Sequence, residues 1–129
     1  MRHIYRCPLR WADMDAYGHV NNVVFLRYLE EARIDFLFRP EKDFKQGSVV
    51  ARHEIDYKRP ALAGDALVAR TWVGPAGKTT FERHTEILRS RDGLVLARAR
   101  TLWCPVDPRT GRPVVVGPDV RRLASTWSG

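Results

Sequence analysis

Cysteine is scarce in this sequence. Cys7 and Cys104 are the only two, no CxxC pair occurs, and no cluster of Cys and His has zinc-ligand spacing. A disulfide framework and a zinc centre are not expected, and both thiols read as reduced, buried small hydrophobes in strands. Long apolar runs are missing too. The opening Met1-Arg-His-Ile-Tyr-Arg6 lacks the apolar core of a signal peptide. No stretch approaches the roughly 18 uninterrupted apolar residues of a membrane span. The expectation is a cytoplasmic protein without a membrane partner. Lysine is rare, 4 against 18 arginines, a bias that carries no functional weight by itself.

What is present is the composition of a folded domain. Hydrophobic residues make up 44% of the chain and charged residues 29%, which argues against disorder and fibrous repeats. A length of 129 residues suits one core and one site, so residues 1–129 are read as a single domain. The net charge of +7 is unevenly placed: residues 1–66 hold 11 basic and 10 acidic side chains, residues 67–129 hold 11 and 5. Such a surface attracts polyanions. Neither a nucleic-acid motif nor a basic-aromatic stacking pattern accompanies the charge, so nucleic acid is not an expected partner.

Residues 3–10 read as a first strand, broken by the polar, glycine-containing segment Trp11 to Gly18. From Asn21 or Asn22 the apolar positions Phe25, Tyr28, Leu29, Ala32 and Phe36 recur at helical spacing. The spacing predicts one long helix at about residues 22–38, with Asn as N-cap and Pro40 just past its end. Val49, Ala51, His53, Ile55 and Tyr57 then alternate with polar partners as in a half-buried strand, which makes His53 a hydrogen-bonded core histidine. Further strands are predicted at about 66–74, 79–90 and 94–105, separated by glycine-containing turns. In the last, Val95, Ala97, Ala99, Thr101 and Trp103 share a face whose small residues would let the helix approach, placing that strand centrally beneath it. Residues 117–126 are a candidate terminal helix. One strand, one long helix and four strands mean an α+β fold, a five-stranded antiparallel sheet wrapped around one long central helix.

The chemistry-bearing segment is Arg10-Trp-Ala-Asp13-Met-Asp15-Ala-Tyr17-Gly18-His19-Val-Asn21-Asn22, running straight into the helix. A carboxylate on a loop before a helix N-terminus sits beside unpaired backbone N–H groups and the positive end of the helix dipole, which keeps it ionised. The same N–H groups suit an oxyanion formed when a carbonyl is attacked. A lone Asp at such a place is ordinarily a cap or loop acceptor, so the surrounding string decides.

That string closely resembles the opening of the 4-hydroxybenzoyl-CoA thioesterase family of hotdog proteins. A second similarity, Tyr57-Lys-Arg-Pro60-Ala61-Leu-Ala-Gly64-Asp65, lies where that family joins its second and third strands. The resemblance implies a hotdog fold, a homodimer or homotetramer with sites at subunit interfaces, and hydrolysis of an acyl-CoA thioester. Coenzyme A is then part of the substrate and no cofactor is required. Asp15 takes the place of the family's catalytic carboxylate, as nucleophile or as general base on water. The backbone N–H near Asn22 takes the oxyanion position, Gly18 lets the backbone turn, and His19 braces the loop or positions the acyl group or water. Asp13 is read as a structural acceptor, and Glu31 with Arg33 as a solvated pair or interface contacts. Tyr17 and the turn residues Lys78, Thr79 and Thr80 are the candidate substrate contacts. This turn is less basic than in the hydroxybenzoyl enzymes, so Arg83, Arg89 or Arg91 are alternative phosphate ligands. The His-Val-Asn-Asn string is closer to the fatty-acyl branch, which favours an aliphatic acyl group. The alternative is a hotdog protein that binds an acyl thioester without turning it over.

Overall fold

A computed structural model describes residues 2–37 and 47–129. The elements are β1 (His3–Cys7), a 3-10 turn at Trp11–Asp13, α1 (Asn22–Leu37), β2 (Ser48–Tyr57), β3 (Leu67–Ala76), β4 (Phe81–Arg89), β5 (Val95–Pro105) and α2 (Pro118–Thr126). The strands form one antiparallel sheet in the order β1-β3-β4-β5-β2. The expected Phe38 end of the long helix and its Pro40 stop lie outside the described residues.

Helix α1 begins where the chain supplies a cap. The Asn21 side-chain oxygen accepts the Val23 N–H at 3.0 Å, and the Asn21 carbonyl accepts the Val24 N–H at 2.9 Å. Asn21→Ala leaves the Val23 donor without that partner and is expected to cost about 1 kcal/mol, read as a lower urea midpoint at unchanged slope. The buried stripe is the one the spacing predicts: Phe25, Tyr28, Leu29, Ala32 and Phe36. Most of it meets Cys7, Leu67, Ala69, Ile87 and Ala97 in the main core. Phe36 belongs to a second cluster with Val73, Phe81, Trp103, Val120 and Trp127, through which α2 seals one end of the molecule.

Two expectations about the sheet are corrected. Strand β5 is not the central strand; β4 is, and α1 packs chiefly over β1 and β3. The cause is polar as well as apolar. His3 Nε2 meets Asp35 Oδ2 at 2.7 Å and the Tyr5 hydroxyl donates to Glu31 at 3.1 Å, so two hydrogen bonds tie the helix to β1. On the β5 side, the small Ala97 and Ala99 join the same core beneath Phe25 and Leu29. The second correction concerns β2, where only Ser48 and Ile55 are partly buried and the remaining positions are exposed. β2 is an edge strand, α1 leans away from it, and a bulge between Val50 and Arg52 interrupts the alternation. His53 is accordingly exposed rather than in the core, its ring Nδ1 lying 2.9 Å from Thr101 Oγ1. Partial burial holds its pKa below the usual histidine range.

Both cysteines are free. Cys7 is buried, and burial first and the Glu31 carboxylate second push its thiol pKa up to about 12. Cys104, expected to be buried, is only partly so, because it points away from the helix side of β5.

Candidate functional site

The segment between the 3-10 turn and α1 is a tight loop built on Asp15. Its backbone N–H donates to the His19 carbonyl at 2.7 Å, and the Gly18 N–H returns to the Asp15 carbonyl at 3.2 Å. Closing this circuit requires φ of +74° at Gly18, a conformation that side chains rarely adopt. Asp15 Oδ1 accepts two loop N–H groups, from Tyr17 at 2.8 Å and His19 at 3.1 Å. Its second oxygen, Oδ2, accepts no hydrogen bond among the described residues.

Asp13 is held differently. It is buried, and its Oδ2 receives Arg27 Nη2 at 2.7 Å, the Arg10 N–H at 2.9 Å and the Tyr28 hydroxyl at 3.3 Å. The Arg27 hydrogen bond holds the Asp13 carboxyl below the usual carboxylate range. All three bonds end on Oδ2 and brace the loop against α1. Glu31 and Arg33 do not pair with each other: Glu31 lies 3.2 Å from Arg27 Nε and accepts from Tyr5, while Arg33 bonds Glu30 at 2.7 Å and covers the Trp103 ring.

Asp15, His19, Asn22, Phe25, Tyr57 and Lys58 line a cavity of about 270 Å³, completed by Val20, Arg59 and Pro60. Asn22 is the first residue of α1, and its N–H has no partner among the described residues. The Tyr57 hydroxyl donates to the Asn22 carbonyl at 2.9 Å and fixes the helix start against the end of β2. A carboxylate oxygen and an unpaired helical N–H therefore border one chamber. An electrophilic carbonyl placed between them would have an attacking group on one side and a donor for its developing negative charge on the other.

The structure thus brings together Asp15, His19 and Asn22, with Gly18 forming the turn that aims them. Tyr17 contributes its N–H while its ring is exposed. Lys78, Thr79 and Thr80 are not part of this chamber within one chain. They occupy the β3–β4 turn at the other end of the strands, about 20 Å along β4 at roughly 3.3 Å per residue. There the Lys78 carbonyl accepts the Val116 N–H at 2.8 Å. Of the alternative phosphate ligands, Arg83 is buried beneath α1 and Arg89 is paired with Asp92 at 2.7 Å. The cations on the chamber wall are Lys58 and Arg59. In the sequence they stand out only as part of a strand junction, although they directly follow Tyr57 on the strand that walls the chamber. Among the described residues no group of three or more His, Cys, Asp or Glu side chains could hold a metal ion. No helix among them is long and apolar enough to cross a membrane.

Comparison with known proteins bears on this geometry. The sequence profile described as the thioesterase-like superfamily matches residues 9–123. The chain is 28% identical over 118 residues to the long-chain acyl-CoA thioesterase FadM of Escherichia coli strain K12, covering 88% of this chain and 89% of that protein. Among solved structures, a thioesterase from Thermus thermophilus, complexed with coenzyme A and Zn, superposes with a TM-score of 0.84 at 30% identity, covering 98% of this chain and 94% of the other. A 1,4-dihydroxy-2-naphthoyl-CoA thioesterase from Synechocystis shares the fold with a TM-score of 0.84 at 20% identity, covering 100% of this chain and 99% of the other.

Proposed function

This chain belongs to the thioesterase-like superfamily and has the hotdog fold, and from that premise we propose that it hydrolyses acyl-CoA thioesters to the free acid and coenzyme A in the cytoplasm. The observation that carries the reading is Asp15: one carboxylate oxygen held by two loop N–H groups, the other without a hydrogen bond among the described residues, at a chamber also lined by Asn22, whose N–H is likewise unpaired among them. Water attacks the thioester carbonyl carbon as Asp15 Oδ2 takes its proton. The carbonyl oxygen becomes an oxyanion at the Asn22 N–H, the C–S bond breaks, and the proton passes to the departing thiolate. In the nucleophilic variant of this route, Oδ2 itself attacks and water cleaves the resulting anhydride. Trapping the anhydride with hydroxylamine during single turnover identifies the second, and label from heavy-oxygen water in Asp15 does so as well where water attacks the Asp15 carbonyl carbon. His19 packs at the chamber wall and steadies the loop, and Lys58 and Arg59 offer cations for the coenzyme A phosphates.

The active form in this reading is a homodimer or a pair of dimers. Val23, Leu26 and Ile34 on α1 and Val49, Val50 and Tyr57 on β2 are exposed, and β2 has one unpaired edge. A second copy covers this face and brings its own Lys78, Thr79 and Thr80 toward the Asp15 chamber. Light scattering on a sizing column is expected to give a multiple of the 14.8 kDa chain mass, reduced to one chain in Val50→Glu. An aliphatic acyl group matches the apolar character of Phe25, Leu29, Ile55 and Ile87, whose side chains part to admit it, with each buried methylene contributing about 0.8 kcal/mol.

Thiol release from a panel of short, medium and long aliphatic and aromatic acyl-CoAs tests the function, with Asp15→Asn alongside. Turnover that disappears in the folded variant supports it. Absence of turnover with every ester, together with measurable binding, would turn the reading to an acyl-thioester-binding protein.

A further inference from the structure

Beneath the second half of α1 the sheet is unexpectedly polar. Arg83 on β4 pairs with Thr101 on β5, which pairs with His53 on β2. One row away, Thr85 pairs with Thr71. All point to the helix side, and Thr71, Thr85, Thr101 and Arg83 are buried, Arg83 to 7% exposure. The Arg83 guanidinium donates to Thr71 Oγ1 at 3.2 Å, and no carboxylate lies within ion-pair distance of it among the described residues. Burial first and the Arg33 charge second pull its pKa down to about 9, which leaves it cationic at neutral pH. The Glu30 carboxylate lines one cavity with it and acts on it from a distance, and a buried cation without an ion-pair partner among the described residues is costly.

Arg83 borders two further cavities. One, of about 50 Å³, is lined by Leu29, Glu30, His53, Thr85 and Thr101. The other, of about 30 Å³, is apolar apart from Arg33 and Ser48 and lies toward Phe36 and Trp103. The first continues the Asp15 chamber along the gap between α1 and β2. Tyr57, Ile55 and His53 step down one face of β2, while Asn22, Phe25, Leu29 and Glu30 step down α1. A constriction at Phe25, Leu29 and Ile55, too narrow for a water molecule, separates the two. From Asn22 to Glu30 the axial distance is about 12 Å at 1.5 Å per residue.

We propose that Arg83 determines substrate specificity by receiving a carboxylate at the far end of the acyl chain, so that the preferred substrates are medium-length ω-carboxyacyl thioesters. The chain passes between Phe25, Leu29 and Ile55, and its terminal carboxylate ends at the guanidinium, with Thr85, Thr101 and His53 as neighbouring hydrogen-bond groups. A plain hydrocarbon end would desolvate the Arg83 donors that Thr71 does not already engage and give them no acceptor. The inference rests on the thioesterase reading for the other end of the substrate.

The test compares kcat/KM for suberoyl-CoA and octanoyl-CoA, matched in length, in the unsubstituted protein, Arg83→Met and Arg83→Lys, and compares binding of both esters to Asp15→Asn by calorimetry, with and without Arg83→Met. A preference for suberoyl-CoA of about tenfold or more is expected, the worth of one charge-assisted hydrogen bond. Arg83→Met should abolish it with octanoyl-CoA little changed, and Arg83→Lys should restore part. Octanoyl-CoA preferred by the unsubstituted protein, or both esters weakened equally by Arg83→Met, overturns the proposal and leaves the cavity to ordered water. An Arg83-dependent binding preference without hydrolysis of either ester would uphold this inference while defeating the thioesterase reading. Failure of Arg83→Met to fold would leave Arg83→Lys and the ester comparison in the unsubstituted protein to decide.

Discussion

Asp15→Asn is expected to lower kcat/KM for the best acyl-CoA by about two to four orders of magnitude, the usual contribution of a positioned acid–base group, while the thermal midpoint stays nearly constant. The asymmetry follows from the two carboxylate oxygens. Oδ1 serves the loop by accepting the Tyr17 and His19 N–H groups, and an amide oxygen still accepts both, though more weakly than a carboxylate. Oδ2 has no hydrogen bond among the described residues, and an amide nitrogen in its place neither takes a proton from water nor attacks a carbonyl. KM should move little, because the phosphates and the acyl chain are held elsewhere. Asp15→Ala would be a poorer experiment, since it removes the loop acceptor as well and mixes a folding defect with the chemical one. Full activity in Asp15→Asn would sink the assignment.

Asp13→Ala is expected to do the reverse, destabilising the fold by about 2–4 kcal/mol, as for loss of a buried carboxylate holding charge-assisted hydrogen bonds. The lower part of that range reflects Arg27, whose side chain is 35% exposed and is rehydrated when its partner goes. The Arg10 N–H and the Tyr28 hydroxyl lose the same acceptor, and Tyr28 is fully buried. Calorimetry should show a fall of roughly 8–15 °C in the midpoint; a fall of a degree or two would mean that the loop is braced by something else. Asp13 also carries a pH signature. Its folded pKa lies below the unfolded value, so its contribution is complete above about pH 4 and is lost as pH falls through the folded value. Glu82, held low by its hydrogen bond from Arg100, loses stability in the same direction. So does Glu86, where burial pushes upward but Arg70 and Arg98 prevail. Asp13→Ala should therefore weaken, without abolishing, the acid dependence of the melting temperature.

The contrast between these two aspartates shows what a sequence discloses and what it withholds. The α1 stripe is legible because five apolar residues at helical spacing leave few alternatives, and the loop is legible because glycine, asparagine and two acids crowd one short segment. The lateral position of α1 is not. It depends on His3 and Tyr5 reaching Asp35 and Glu31, pairs more than 25 residues apart that no local pattern reveals. The exposure of β2 is hidden for a related reason: alternation along a strand records which side chains are apolar, while burial needs a layer above, and no helix among the described residues covers that edge. Arg83 reads as a surface cation in the sequence because burial of a charged residue runs against its type, and only the cross-strand register places it under the helix. The chamber cations Lys58 and Arg59 are visible in the sequence, but their use depends on the chain turning inward after Tyr57.

Helix α1 is tied along its length to β1 by two side-chain hydrogen bonds, whereas toward β2 the tie among the described residues is the one from Tyr57 at the helix start, so the molecule is more loosely latched on that side. The tethers to β1 do not involve Phe25 and Leu29, the two core residues that narrow the passage beside Ile55, so a change of rotamer there would widen it with both tethers intact. In the proposed function an acyl chain enters and leaves through that side-chain rearrangement, which is slower than the ps–ns flips of exposed groups because both residues are packed, with no cooperative unfolding step in its path. Residence time is then set by how well the guest fits the floor and the far end of the passage, and the stability of the scaffold has little say in it.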